Sequence, residues 1–400
     1  MQIDYKKNLI FFFIICSICA ITFLHRNYIS LHHLSFVEWL VNYQHSFVRR
    51  GIFGELNYNI AKIFNLNLFK VTLVIQIILF CIFYYCSTKI LINVRKPSFL
   101  LILAVFSPIG FLFPLAELEA LGRQELVFLT FLSFYIYFLI FKNKIFLSQI
   151  LLITLLPIIL LAHEGMILYF SYVIIANLFF LYNKEIKFGL LINILITLYI
   201  IIIFLVFNSN YTVDQTAVNG ICKSLSNYLE QSYCVSINGI SKIADSKSLT
   251  IDQFLSRFEL FKVLKFSLFA LVGFAPLLLV IKNNKNLRIF NFEIKPLYTV
   301  YLCIFCSLPI YLAIDWGRWT YINYISTLFL ILYLLHIKFL EIRKEKVYYF
   351  FEKITKKTKV LFFILFCFSW NLKILNTDDI GSFPAYRLLR KTALYLMSFL

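Results

Sequence analysis

Apolar runs of about 17–25 residues recur along the whole chain, each bounded by a few polar or basic positions. That spacing predicts helices that cross a bilayer. Eleven spans are expected, at 8–24, 69–92, 98–115, 126–141, 145–162, 165–182, 188–207, 264–281, 296–313, 320–340 and 360–376. The stretches 98–141 and 145–182 read as hairpins with short connections. The expected fold is all-α: one polytopic membrane domain over residues 1–400, with two long outer segments at 25–68 and 208–263 and a C-terminal tail at 377–400. The first run follows Lys6 and Lys7. It reads as an uncleaved anchor, because the chain keeps re-entering the bilayer.

Composition supports this. The chain is 61% hydrophobic and 14% charged, with mean hydropathy +0.83, too little charge to cover a water-soluble surface. The net charge of +18 reads as a positive-inside signal, with no nucleic acid required. With the N-terminus inside, short basic connections gather Lys6, Lys7, Arg95, Lys96, Lys142, Lys144, Lys184, Lys187, Lys282, Lys285, Arg288 and the run from Arg343 to Lys359 on the cytoplasmic side. Arginine falls mostly opposite: Arg26, Arg49, Arg50, Arg123, Arg257, Arg318, Arg387 and Arg390. Topology needs only positive charge. Arginine on the outer side points to two-point binding of carboxylate or phosphate, which lysine does not copy.

Four charged motifs interrupt the apolar pattern, and all four emerge on the outer side. Ser46-Phe47-Val48-Arg49-Arg50-Gly51 lies in the first outer segment, where Phe36–Leu40 and Phe47–Leu56 are expected as short helices lying in the interface. Its arginines suit a diphosphate or lipid phosphates. Gly122-Arg123-Gln124-Glu125 follows Glu117 and Glu119, and Glu119 with Arg123 has the i, i+4 spacing of a helical ion pair. His163-Glu164-Gly165 sits at the tip of a tight hairpin. A carboxylate so close to hydrocarbon is costly and tends to face a polar cavity, where it is a candidate proton acceptor. Asp315-Trp316-Gly317-Arg318-Trp319 pairs an acid and a base three residues apart, and its two tryptophans suit an interfacial aromatic belt.

The remaining chemistry is sparse. No zinc-type cysteine spacing and no glycine-rich phosphate loop is present, so neither metal nor cofactor is called for. Cys222 and Cys234 are the two cysteines clearly outside the predicted spans, and they could close a disulfide in an oxidising compartment. Spacing alone does not decide that. The 208–263 loop is too long for a simple connector, and a substrate lid is one use for it.

The predicted span interiors carry almost no ionisable groups, which argues against an ion-coupled carrier. A polar site at one leaflet suits an enzyme acting on a lipid-linked substrate. Arginines would hold the phosphates, and a carboxylate or histidine would take the proton of an acceptor hydroxyl. In length, span number, large outer loop and outward-facing arginines the chain resembles Wzy-type O-antigen and capsular-polysaccharide polymerases. That resemblance implies a bacterial inner-membrane glycosyltransferase joining oligosaccharide repeat units carried on undecaprenyl diphosphate at the periplasmic face. It also implies a chain-length regulator and a flippase as partners. On that basis Arg49, Arg50, Arg123, Glu125 and Arg318 are expected to bind the diphosphate and sugar, with Glu164, Asp315 and His163 as catalytic groups. Two alternatives stand beside it. One is a GT-C-type glycosyltransferase using a lipid-phosphate sugar, for which Glu38 and Glu55 are the acids of the first outer segment. The other is a non-enzymatic flippase for lipid-linked oligosaccharides, which would line a central cavity with charge.

Overall fold

The computed structural model describes residues 5–30, 34–94, 97–210, 215–228, 240, 259–289, 292–312, 315–343 and 353–374. Its helices are α1 (Tyr5–Ser30), α2 (Leu34–Val37), α3 (Ile52–Ile63), α4 (Leu68–Ile92), α5 (Phe99–Val105), α6 (Phe113–Ala116), α7 (Glu125–Phe141) and α8 (Ile145–Ala162). They continue with α9 (Phe170–Asn183), α10 (Gly189–Asn210), α11 (Gln215–Ser224), α12 (Leu260–Leu279), α13 (Pro296–Cys306), α14 (Trp316–His336) and α15 (Lys356–Phe368). Short 3-10 turns at Glu38–Leu40, Glu164–Tyr169 and Leu308–Leu312 extend three of them. Four three-residue strands, β1 (Ile281–Asn283), β2 (Leu287–Ile289), β3 (Phe292–Ile294) and β4 (Leu340–Ile342), form two antiparallel pairs, β1 with β4 and β2 with β3.

Among the described residues, seven helices are long and apolar enough to cross a membrane: α1, α4, α8, Glu164–Asn183, α10, α12 and α14. Their hydropathy follows their position. The most apolar stretch of α10 has mean hydropathy 3.0 and is 17% buried, whereas that of α14 has 1.2 and is 89% buried. A lipid-facing helix must be apolar all round, while a helix covered by its neighbours can carry polar groups that find partners. So α14 is the hub, packed on α7, α9, α12 and α13. Asn323 on α14 accepts a short hydrogen bond from Tyr172 and donates to Ser307 Oγ at 2.7 Å. Tyr324 Oη donates to the Ala104 carbonyl at 2.6 Å. Further along the bundle Asn177 joins Tyr135, Gln149 and Asn193 in a buried amide cluster that ties α7, α8, α9 and α10 together.

Three of the eleven expected spans take other forms, and a fourth forms at its expected place as a helix shorter than the seven. The stretch 98–115 is no continuous helix: α5 ends at Val105, and tight turns follow, with Gly110 N–H donating to Ser107 O and Phe113 N–H to Gly110 O. Pro108 supplies no N–H and disfavours a helical Ser107. This irregular backbone is buried at Ser107, Ile109, Phe111 and Phe113, the condition under which non-helical chain is tolerated at membrane depth. The expected span 126–141 is the 17-residue α7. In 296–313 the helix stops at Cys306 and a 3-10 turn containing Pro309 follows. The last, 360–376, ends at Phe368. Its 13 residues reach about 20 Å, short of the ~30 Å apolar core of a bilayer.

The expected interfacial helices also differ. Phe36, Trp39 and Leu40 are at most 1% exposed, so this segment is packed inside the protein. The second begins at Ile52, after the arginine pair. Gly54 allows the close approach: a Cβ there would lie 1.7 Å from the Val41 carbonyl oxygen. Helix α11, from the 208–263 loop, covers this region, with Asn42 Nδ2 donating to Ser224 Oγ at 3.1 Å. Cys222 on α11 is disulfide-bonded. Cys234 and the C-terminal tail from 375 onward lie outside the described residues.

Candidate functional site

The four motifs meet at one end of the bundle. Each stands at a helix terminus: Arg49 and Arg50 precede α3, Glu125 opens α7, His163 closes α8, Glu164 opens the turn into α9, and Asp315 and Arg318 lie at the start of α14. A carboxylate at a helix N-terminus is favoured by the helix dipole, whereas Arg318 in the first turn of α14 is disfavoured there. Arg318 is therefore held by partners. Its Nη2 lies 2.6 Å from Asp315 Oδ2, and its Nη1 lies 3.0 Å from Glu125 Oε1. The guanidinium stacks over the Trp319 ring at 4.3 Å.

Glu125 is also 3.1 Å from His163 Nε2. His163 Nδ1 accepts from the Gly165 N–H at 3.2 Å, which assigns the ring proton of neutral His163 to Nε2, facing Glu125. Glu125, His163 and Arg318 are 2–5% exposed. Their ion contacts are close but not aligned as hydrogen bonds: both Glu125 oxygens, His163 Nε2, Arg318 Nε and Nη1, and Trp319 Nε1 have no hydrogen-bond partner among the described residues. Buried polar atoms left in that state are costly. A cavity of about 10 Å³ touches Arg123, Glu125 and Arg318.

Arg123 turns away from Glu119 and places Nε 3.2 Å from Glu38 Oε1. The expected Glu119–Arg123 pair does not form because this stretch is turns, not helix. Glu117 instead reaches Lys373 at 3.0 Å and accepts from Asn371 Nδ2 at 2.9 Å. Glu38 Oε1 accepts from the Gln124 backbone N–H at 2.8 Å, and the Gln124 amide donates to the Glu38 and Arg50 carbonyls. Burial pushes the Glu38 carboxyl above its usual range, with Arg123 pulling against it. Gly122, at φ +76°, bends the chain into this position. Its carbonyl accepts from Trp39 Nε1 at 2.6 Å and Gln76 Nε2 at 2.9 Å.

Arg50 grips Glu164 with two parallel bonds, Nε to Oε2 at 3.0 Å and Nη2 to Oε1 at 2.8 Å. Arg49 Nη1 stands 3.7 Å from the same carboxylate. Arg50 holds φ at +62°, a left-handed conformation that costs of order 1–3 kcal/mol in a non-glycine residue and clusters at functional sites. The pair borders a cleft of about 30 Å³, lined by Arg49, Arg50 and Glu164 together with Leu160, Phe204 and Phe207. That is room for about one water.

All eight expected site residues thus join one network, through Gln124 and the adjacent pairs 123–125 and 163–164. Four arginines face four carboxylates: Arg49, Arg50, Arg123 and Arg318 against Glu38, Glu125, Glu164 and Asp315. Glu38, Gln124 and Trp319 have larger parts here than the sequence suggested. Trp316 and Trp319 are 6% and 2% exposed, so they line the interior and do not form an interfacial belt. Comparison with known proteins gives no match, whether to a family model, a curated protein or a solved structure.

Proposed function

We propose that the chain is a membrane glycosyltransferase that joins oligosaccharide units carried on undecaprenyl diphosphate, at the outer face of a bacterial inner membrane, as an O-antigen or capsule polymerase does. The observation that carries this is the cleft at Arg49 and Arg50, lined by both charged and apolar side chains. Guanidinium groups suited to a diphosphate share its lining with Leu160, Phe204 and Phe207, which suit a polyprenyl chain. The lysine-rich opposite end of the bundle supports the orientation.

The balanced charges define how such a substrate enters. With no arginine surplus, a diphosphate binds by taking Arg50 from Glu164. The carboxylate released beside His163 then accepts the proton of the acceptor hydroxyl. That oxygen attacks the anomeric carbon, the bond from that carbon to the diphosphate breaks, and undecaprenyl diphosphate leaves with the electron pair. Arg318, fixed by Glu125 and Asp315, holds the α14 side of the site. The carboxylates a GT-C enzyme would use are occupied by the protein: Glu38 by Arg123 and Gln124, and Glu55 by Tyr43 N–H, Gln44 and Asn59.

The test is Arg50→Lys, which keeps the charge and loses the fork. Long-chain polysaccharide should disappear while the protein inserts at normal levels. Normal chain length in that variant would remove the site. Cysteines introduced at 123, 164 and 318 should react with an impermeant reagent from the outer side. Reaction only from the cytoplasm would overturn the orientation.

A further inference from the structure

The far end of the bundle carries a second, open site. Where α9 turns into α10 and the β2–β3 hairpin folds alongside, a cleft of about 600 Å³ opens. Its floor is apolar, from Leu178, Leu190 and Phe339, and its rim carries Lys187, Lys285 and Arg288. Glu185 also lies on the rim, and Arg288 is engaged by Glu293 at 2.8 Å. Lys187 and Lys285 have no ion pair among the described residues, so the cleft keeps a positive surplus. Two aromatic side chains of the same elements are uncovered: Phe188, next to Lys187 in the chain, is 69% exposed and Phe292, on the β2–β3 hairpin, 75%. Bare phenylalanines beside lysines at the ends of membrane-crossing helices fit the boundary between acyl chains and headgroups.

We infer that this cleft binds the phosphate of an anionic membrane phospholipid, with Lys187 and Lys285 on the headgroup and Leu178, Leu190 and Phe339 against the upper acyl chain. The charge selects the headgroup and the apolar floor selects a lipid over a soluble phosphate. The site uses none of the residues of the opposite end, and it stands or falls apart from the glycosyltransferase proposal.

The experiment uses the full chain purified in a neutral detergent. Retention of phosphatidylglycerol and of phosphatidylcholine is measured by native mass spectrometry, with inorganic phosphate as competitor. The double variant Lys187→Gln/Lys285→Gln is compared with Lys142→Gln/Lys144→Gln, which removes the same charge from an exposed turn at the same end. The cleft variant should lose phosphatidylglycerol affinity by roughly thirtyfold, at about 1 kcal/mol for each lysine near the headgroup. The turn variant should match wild type, and phosphatidylcholine should bind weakly to all three. Equal loss in both variants would show diffuse attraction and overturn the site, as would no loss in either. Complete displacement by millimolar inorganic phosphate would replace the lipid with a soluble phosphate and overturn the assignment. A melting curve for each variant confirms that the fold is retained.

Discussion

The two ends of the bundle use cations in opposite ways. At one end Arg50, Arg123 and Arg318 are drawn into the protein and matched to carboxylates. At the other Lys187, Lys285 and Arg288 stand on the rim of an open cleft. The first end is nearly closed, with about 30 Å³ beside Arg50, and the second holds about 600 Å³. Burial explains the residue choice. A guanidinium tolerates a dry setting when its fork meets a carboxylate, whereas an ammonium is strongly hydrated and stays where water reaches it. On the proposed reading, buried pairing makes the first end a place where an incoming anion displaces a carboxylate. At the second end the inferred anion would simply add.

Substitutions at the two ends should therefore differ sharply. The largest effect is expected for Arg318→Ala, which leaves Glu125 and Asp315 without their shared cation. Removing one partner of a buried pair costs about 3–5 kcal/mol, so thermal denaturation in detergent should show a marked loss of stability. A change within the error of the wild-type curve would mean that the buried network contributes little. Gly54→Ala comes next. Its Cβ would meet the Val41 carbonyl, and overpacking of this kind costs about 1–3 kcal/mol. Trp39→Phe should cost about 1 kcal/mol, through loss of the hydrogen bond to Gly122, and should loosen the turn that presents Arg123. The smallest effect is at the opposite end, where Lys285→Ala should stay within about 0.5 kcal/mol. If Lys285→Ala proved as damaging as Arg318→Ala, the contrast between the ends would collapse.

The sequence made the long helices legible because lipid enforces a simple rule. Helix α10 faces outward and is apolar throughout, so composition alone marks it. The 98–115 stretch passes the same test and yet is broken, since its apolar side chains pack against protein and Pro108 interrupts the backbone. Hydropathy does not distinguish an apolar segment facing lipid from one buried among helices. The charged motifs were visible one by one, and their common side followed from the lysine distribution. Their partners were not visible. Arg123 has Glu119 at helical spacing but bonds Glu38, 85 positions away in sequence, because the backbone there turns. Arg50 and Glu164 pair across 114 residues. Such pairs depend on how α3, α7 and α8 are brought together, which no local spacing encodes. The same holds for Trp319, whose interfacial look in sequence hides its place over Arg318.

The central claim is that the Arg50 end accepts a lipid diphosphate by exchange with Glu164. The most direct measurement is binding of undecaprenyl diphosphate and of undecaprenol to the purified chain and to its Arg50→Lys variant. The diphosphate should bind the variant at least about tenfold more weakly, the loss of one charge-assisted hydrogen bond, while undecaprenol should bind both proteins alike. Equal diphosphate binding by the two proteins would contradict the claim.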